Sequence, residues 1–148
     1  MQTKPTFRHR NLPHLFLSAR ETLMQRFRPI LNEAGLTEQQ WRVLRTLYDT
    51  SDIDAATLAD RAQVLSPSLT RILRLLQDAN LIERGPDPED LRRQVIRLSS
   101  KGQRMVARIG PRVEAVYQSL EAAIGPKLLA SLYRNIDTMI AKIEQTGR

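Results

Sequence analysis

"DPEDLRRQVIRLS" occupies residues 87–99. Two prolines, Pro86 and Pro88, stiffen its start and stand beside a cluster of acids. Arg92 and Arg93 follow. Then Ile96 and Leu98 alternate with Val95 and Arg97, a strand pattern that Val95 makes imperfect. Just upstream, "LIERG" (residues 81–85) reads as a second strand. The prolines exclude regular pairing between the two, which predicts a hairpin with an elongated tip. A stiff tip loses less entropy when it docks. Asp90, two residues before Arg92, is placed to hold that guanidinium by a charge-assisted bond. An ion-rich exposed turn would have the same composition, because turns favour Asp and Pro.

Ahead of the hairpin lie two short amphipathic segments. Residues 54–61 place Ala55, Leu58, Ala59 and Ala62 inward. "QVL" makes a turn, and "SP" opens the next helix with Ser66 as N-cap and Pro67 at its first position. That helix, to about Ala79, turns Leu69, Ile72, Leu73 and Leu76 to the core. Ser68, Thr70, Arg71, Arg74 and Gln77 lie on its outer arc. Two short helices, a tight turn and a hairpin are the order of a winged helix-turn-helix. The outer arc suits a major groove. Arginine binds guanine O6 and N7 bidentately, and hydroxyls reach phosphates or bases. A solvated amphipathic helix would present a similar face.

Composition agrees with a polyanion partner. The 148 residues make one domain, 41% are hydrophobic, net charge is +7 and the pI is near 10.5. There is no cysteine, and only His9 and His14 are present, so disulfide, thiolate and zinc chemistry are not expected. No signal peptide or apolar run of membrane length is legible, which predicts a cytoplasmic chain with no membrane partner.

Longer helices flank this core. Leu12, Phe16, Ala19, Leu23, Phe27, Ile30 and Ala34 recur at helical steps, with Pro29 expected to bend or shorten the helix and Gly35 to stop it. "LTEQQW" predicts the next helix start. Thr37 and Gln40 form a capping box and Leu36 with Trp41 a staple. Trp41, Leu44, Leu47 and Tyr48 continue the buried stripe. Residues from about 100 to 123 form another helix that Gly110-Pro111 should kink or split. Gly125-Pro126 starts the last, with Leu129, Leu132, Ile136, Met139 and Ile143 on one face. The terminal stripes have no evident partner inside so small a domain.

"DLRRQVIRLS" matches the wing pattern of the MarR family of bacterial transcription regulators. The order of elements resembles that family over nearly the whole chain. The resemblance implies a mainly α fold: a winged helix-turn-helix lobe (about 36–100) with a two-to-three-stranded wing and long dimerisation helices (about 1–34 and 101–148). It implies a homodimer on a palindromic operator in double-stranded DNA. Ser66, Ser68, Thr70, Arg71 and Arg74 would lie on the recognition helix, and Asp90, Arg92 and Arg93 on the wing. Ser99 stands where many relatives have Thr, and either residue can cap. "ARETLMQRFRPIL" followed by "LTEQQWRVLR" resembles the branch controlling aromatic-acid breakdown. That implies a repressor of a homoprotocatechuate or hydroxyphenylacetate operon, released by a phenolic or aryl carboxylate.

Arg20 is the candidate effector residue. It interrupts an apolar stripe of Leu17, Met24, Phe27 and Leu31, as a carboxylate clamp would. An internal ion pair with an acid elsewhere would give the same pattern. Trp41 is a candidate aromatic wall and His14 a candidate polar group, although both also suit packing or capping roles. No cofactor is expected beyond that acid. Nothing nominates an enzyme: paired carboxylates, a phosphate loop and a nucleophilic triad are all missing from the sequence. The alternative is a winged-helix module that binds protein or RNA and takes no effector. Such a module would not need a positioned wing arginine.

Overall fold

The computed structural model describes residues 3–147. In order the elements are α1 (Leu12–Glu33), α2 (Glu38–Asp49), α3 (Ala55–Ala62), α4 (Ser66–Asp78), β1 (Ile82–Pro86), β2 (Gln94–Leu98), α5 (Ser100–Ile124) and α6 (Pro126–Thr146). They fall into two compact units, one ending at Gln103 and one beginning at Arg104. The first therefore holds α1 together with the helix-turn-helix and the hairpin.

Local chemistry explains the helix ends. Asn11 caps α1 by accepting from the His14 N–H at 3.0 Å. Gly35, at φ 73°, closes it in a left-handed turn that returns the Leu36 N–H to the Leu31 carbonyl at 2.9 Å. Thr37 and Gln40 make the expected capping box on α2, both bonds at 3.1 Å. Asp54 caps α3 through the Thr57 N–H at 2.8 Å. Arg42 reaches from α2 to the far end of α3 and donates to the Ala62 and Gln63 carbonyls, at 2.9 and 3.1 Å. Those carbonyls have no intrahelical donor.

The core of the first unit sits where α2, α3, α4 and β2 meet. Val43, Leu44, Leu58, Leu73 and Val95 are sealed from solvent. Burying each such aliphatic side chain is worth roughly 1.5–3 kcal/mol. β1 and β2 pair antiparallel, with Arg84 opposite Ile96 and Pro86 opposite Gln94. Pro86 is tolerated because it is the last paired residue, where no further ladder donor is needed. Ile53 adds a one-residue third strand through two bonds with Ile96, at 3.2 and 2.8 Å. The two-to-three-stranded wing is therefore two strands and a bridge.

Several expectations are corrected. Ser66 is not an N-cap: Leu65 holds that position, its carbonyl accepting from the Leu69 N–H, and it offers no side-chain cap. Ser66 and Pro67 lie in the first turn, where a missing N–H costs nothing. Pro29 does not shorten α1, and α5 runs unbroken through Gly110-Pro111. Tyr48 is exposed and Trp41 only half-buried, because Val43 takes the inward position on α2. Ala55 is exposed at the start of α3.

Candidate DNA interface and effector site

Four residues of α4 present an open polar surface. Ser66, Thr70, Arg71 and Arg74 are exposed, and Ser68 is half-buried. The opposite face, Leu69, Ile72, Leu73 and Leu76, is buried. Turning the helix would expose all four apolar side chains, so packing fixes which face looks outward. Thr70 donates its hydroxyl proton to the Ser66 carbonyl at 3.1 Å, which leaves its oxygen free to accept.

The wing tip is built on its own backbone. Asp87 accepts from the Glu89 N–H at 2.9 Å and Asp90 from the Arg92 N–H at 3.1 Å. The Arg93 N–H donates to the Asp90 carbonyl at 2.9 Å, and the Asp87 N–H to the Arg93 carbonyl at 2.8 Å. These are successive Asx turns, which the Pro-Asp composition favours. Asp90 therefore positions the backbone of Arg92, not its guanidinium. At a two-residue spacing the amide is the nearer donor. The Arg92 side chain is left exposed beyond the tip, beside exposed Leu91. Arg93 differs. Its guanidinium pairs with the second carboxylate oxygen of Asp54, the α3 cap. The Asp54 carboxyl is held down to about 2, first by the bonds from Thr57 and then by Arg93.

The candidate effector residues lie on α1 and α2. Arg20 donates to Glu38 at 2.7 Å, and Arg28 bonds the other oxygen of Glu38 at 2.5 Å. Arg28 also grips both oxygens of Glu21, at 2.6 and 2.9 Å. Glu38 is held below the usual carboxylate range by Arg20 first and then Arg28. Glu21 is lowered chiefly by Arg28. Arg20 is thus an ion-pair residue that ties α1 to α2, as one of the two sequence readings had it. One N–H is spent on Glu38. The other edge of its guanidinium has no partner among the described residues. Leu17 and Met24 flank Arg20 on α1; Leu17 is 56% exposed and Met24 half-buried. Trp41 follows Glu38 by three residues on α2, on the same side of that helix. His14 is exposed and lies about 120° round the helix from Arg20, so the structure does not bring it into this group.

Glu38, Arg28, Asp52 and Asp54 were not legible as site neighbours. The ion pairs Arg28–Glu38, Arg20–Glu38, Arg93–Asp54 and Arg97–Asp52 span 10 to 45 residues, and no spacing rule reaches that far. Among the described residues no cluster of His, Asp and Glu could hold a metal, and no helix is long and apolar enough to cross a membrane.

Residues 36–94, the helix-turn-helix and the wing up to the start of β2, match the MarR family. The HTH-type transcriptional regulator FarR of Neisseria gonorrhoeae is 38% identical over 137 residues, 93% of either chain. The chain belongs to the MarR family. A second MarR-like relative, the homoprotocatechuate degradative operon repressor of Escherichia coli, is 36% identical over 133 residues, 90% of either chain. Among solved structures, NadR in complex with 4-hydroxyphenylacetate superposes with a TM-score of 0.81 at 36% identity, covering 93% of this chain and 100% of that one. Family membership makes the protein a DNA-binding transcription regulator and not an enzyme. The fold is the family's winged helix, with the β1–β2 hairpin as its wing. The basic outer face of α4 and the side chain of Arg92 are both exposed on this winged-helix unit.

Proposed function

We propose that this MarR-family protein is a homodimeric repressor of an aromatic-acid degradation operon, acting in the cytoplasm and released from a palindromic operator by a phenolic or aryl carboxylate. The observation that carries the effector reading is Arg20. It stands on the apolar face of α1 with one guanidinium edge fixed by Glu38 and the other open. A fixed arginine loses little entropy when it takes a ligand carboxylate. In this reading Leu17, Met24 and Trp41 border the ring. The similarity to a homoprotocatechuate operon repressor and to NadR with bound 4-hydroxyphenylacetate supports the same ligand class. His14 remains a weaker candidate, as a polar group nearer the start of α1.

The effector acts only through its difference in affinity between the DNA-competent and released shapes, and a coupling of about 1–3 kcal/mol suffices. Binding to the protein's own upstream intergenic DNA, titrated with a panel of aromatic acids, tests the reading. Hydroxyphenylacetate-like acids should release the DNA. Arg20→Ala should leave DNA binding nearly normal and abolish release. Calorimetry completes the test: unchanged acid affinity in Arg20→Ala would leave Arg20 as an ion-pair residue alone.

The dimer reading rests on exposed apolar faces. Leu12, Leu15, Leu17 and Leu23 on α1 are 37–56% exposed, and α6 has no buried residue at all among those described. Leu128, Leu132, Tyr133, Ile140 and Ile143 on α6 are 41–62% exposed. Faces this apolar are stable in water when a second copy covers them. A two-fold pair would set its recognition helices roughly 34 Å apart, one turn of DNA. Sedimentation at micromolar concentration should give a dimer, and a folded monomer there would refute it.

A further inference from the structure

The wing is tied to the loop between α2 and α3 at three adjacent points. Arg97 donates to Asp52 at 2.7 Å. Ile96 and Ile53 exchange two backbone bonds, and both are buried. Arg93 pairs with Asp54, which simultaneously caps α3. Asp52, Ile53 and Asp54 thus meet Arg97, Ile96 and Arg93 in order, as an antiparallel seam. An exposed ion pair alone holds little, because solvent screens it and two long side chains must be ordered. Here the buried Ile53–Ile96 bridge has already brought the two chains together. Each pair then closes a short gap instead of a long loop.

We propose that Arg93 is a positioning residue, acting through Asp54 to fix the angle of the wing on the DNA-reading lobe, and that only its neighbour Arg92 reaches DNA. The two arginines are adjacent in sequence and equally basic, yet their surroundings separate them. Arg92 is exposed and has no side-chain partner among the described residues. Arg93 is committed to a carboxylate that α3 already orients. Pulling Arg93 toward a phosphate would break the Asp54 pair and leave Asp54 as a bare negative charge near the backbone of DNA, which DNA would repel. The seam also gives the α2–α3 loop a direct mechanical link to the wing.

The inference rests on the wing's contact with operator DNA, and a double-mutant cycle separates the two. Operator affinity is measured against salt for the full-length protein and for Asp54→Asn, Arg93→Ala, the double variant and Arg92→Ala. Asparagine keeps a cap acceptor for the Thr57 N–H, so α3 is preserved. Asp54→Ser is a second cap-preserving variant, too short to reach Arg93. Asp54→Asn and Asp54→Ser should each weaken binding by roughly three- to tenfold, although each removes a negative charge. Arg93→Ala should weaken it similarly with the wild-type salt slope, and the double variant should be no worse than the poorer single. Arg92→Ala should lower the slope by about one per docked wing, and so by about two for the dimer. Tighter or unchanged binding by the Asp54 variants would overturn the inference, as would a slope loss in Arg93→Ala like that of Arg92→Ala. No operator binding by the unmodified protein would overturn the operator reading first, and this one with it.

Discussion

Arg92→Ala should cost the operator complex about 1–3 kcal/mol per wing, and so about 2–6 kcal/mol for a dimer that docks two. The fold should be untouched, because the side chain is exposed beyond the tip and the tip is held by backbone bonds to Asp87, Asp90 and Arg93. Arginine enters the narrow minor groove readily, where the potential is most negative. That gives a free Arg92 a purpose that a merely solvated turn lacks. Asp90→Ala should do part of the same damage, by loosening the Arg92 backbone amide and not by freeing a guanidinium. Fluorescence anisotropy with operator DNA checks both. Unchanged affinity in Arg92→Ala would remove the wing from the DNA interface. Tighter binding in Asp90→Ala would show that its charge matters more than the turn it makes.

The second large effect is on stability. A Cβ at Gly102 would lie 2.1 Å from the Leu81 carbonyl oxygen, 3.1 Å from its carbon and 3.2 Å from Leu98 Cδ2. The first is a backbone atom and cannot rotate away. That carbonyl also accepts from the Ser99 N–H at 3.0 Å, which ties the end of β2 to the chain just before β1. Buried Ser99 completes the junction, donating to the Asn80 carbonyl at 2.6 Å and accepting from the Gly102 N–H at 3.0 Å as the cap of α5. Ser therefore serves at this position, as the sequence had implied. Overpacking of this kind costs about 1–3 kcal/mol, and a disrupted buried bond adds about 1–3 kcal/mol more. Gly102→Ala should therefore lose about 2–6 kcal/mol, a large part of a domain's roughly 5–15 kcal/mol. Urea unfolding would report it as a fall in midpoint with an unchanged slope. A midpoint within error of the parent would mean that the approach relaxes at no cost.

How far the sequence reached depended on the range of the interaction. The Thr37–Gln40 capping box, the Gly35 stop, the buried face of α4 and the hairpin around residues 87–93 were all legible, because each is decided within a few residues by backbone bonding or apolar period. The same local signals, with the "DLRRQVIRLS" pattern, were enough for the family and for the exposed arginines. Local signals also misled. "SP" read as a cap, but the helix began one residue earlier. Pro29 read as a bend or an early end, and Gly110-Pro111 as a kink or a split, and neither helix ends there. Propensity is a weak prior against a helix whose remaining bonds are intact.

The partners of the charged groups were decided by the tertiary structure alone. From the sequence, Arg20 was either a ligand clamp or one half of an ion pair, Arg92 was paired with Asp90, and Arg93 had no assigned partner. The fold brings Glu38 to Arg20 across 18 residues, Asp54 to Arg93 across 39 and Asp52 to Arg97 across 45. An ion pair leaves no periodic trace, since it needs only two heads within about 4 Å and any path between them. Apolar faces do leave such a trace, because burial acts on every third or fourth residue of a helix. The sequence therefore determined the apolar face of α4 and the polar, basic face opposite it. Only the folded chain decided which of its arginines are free.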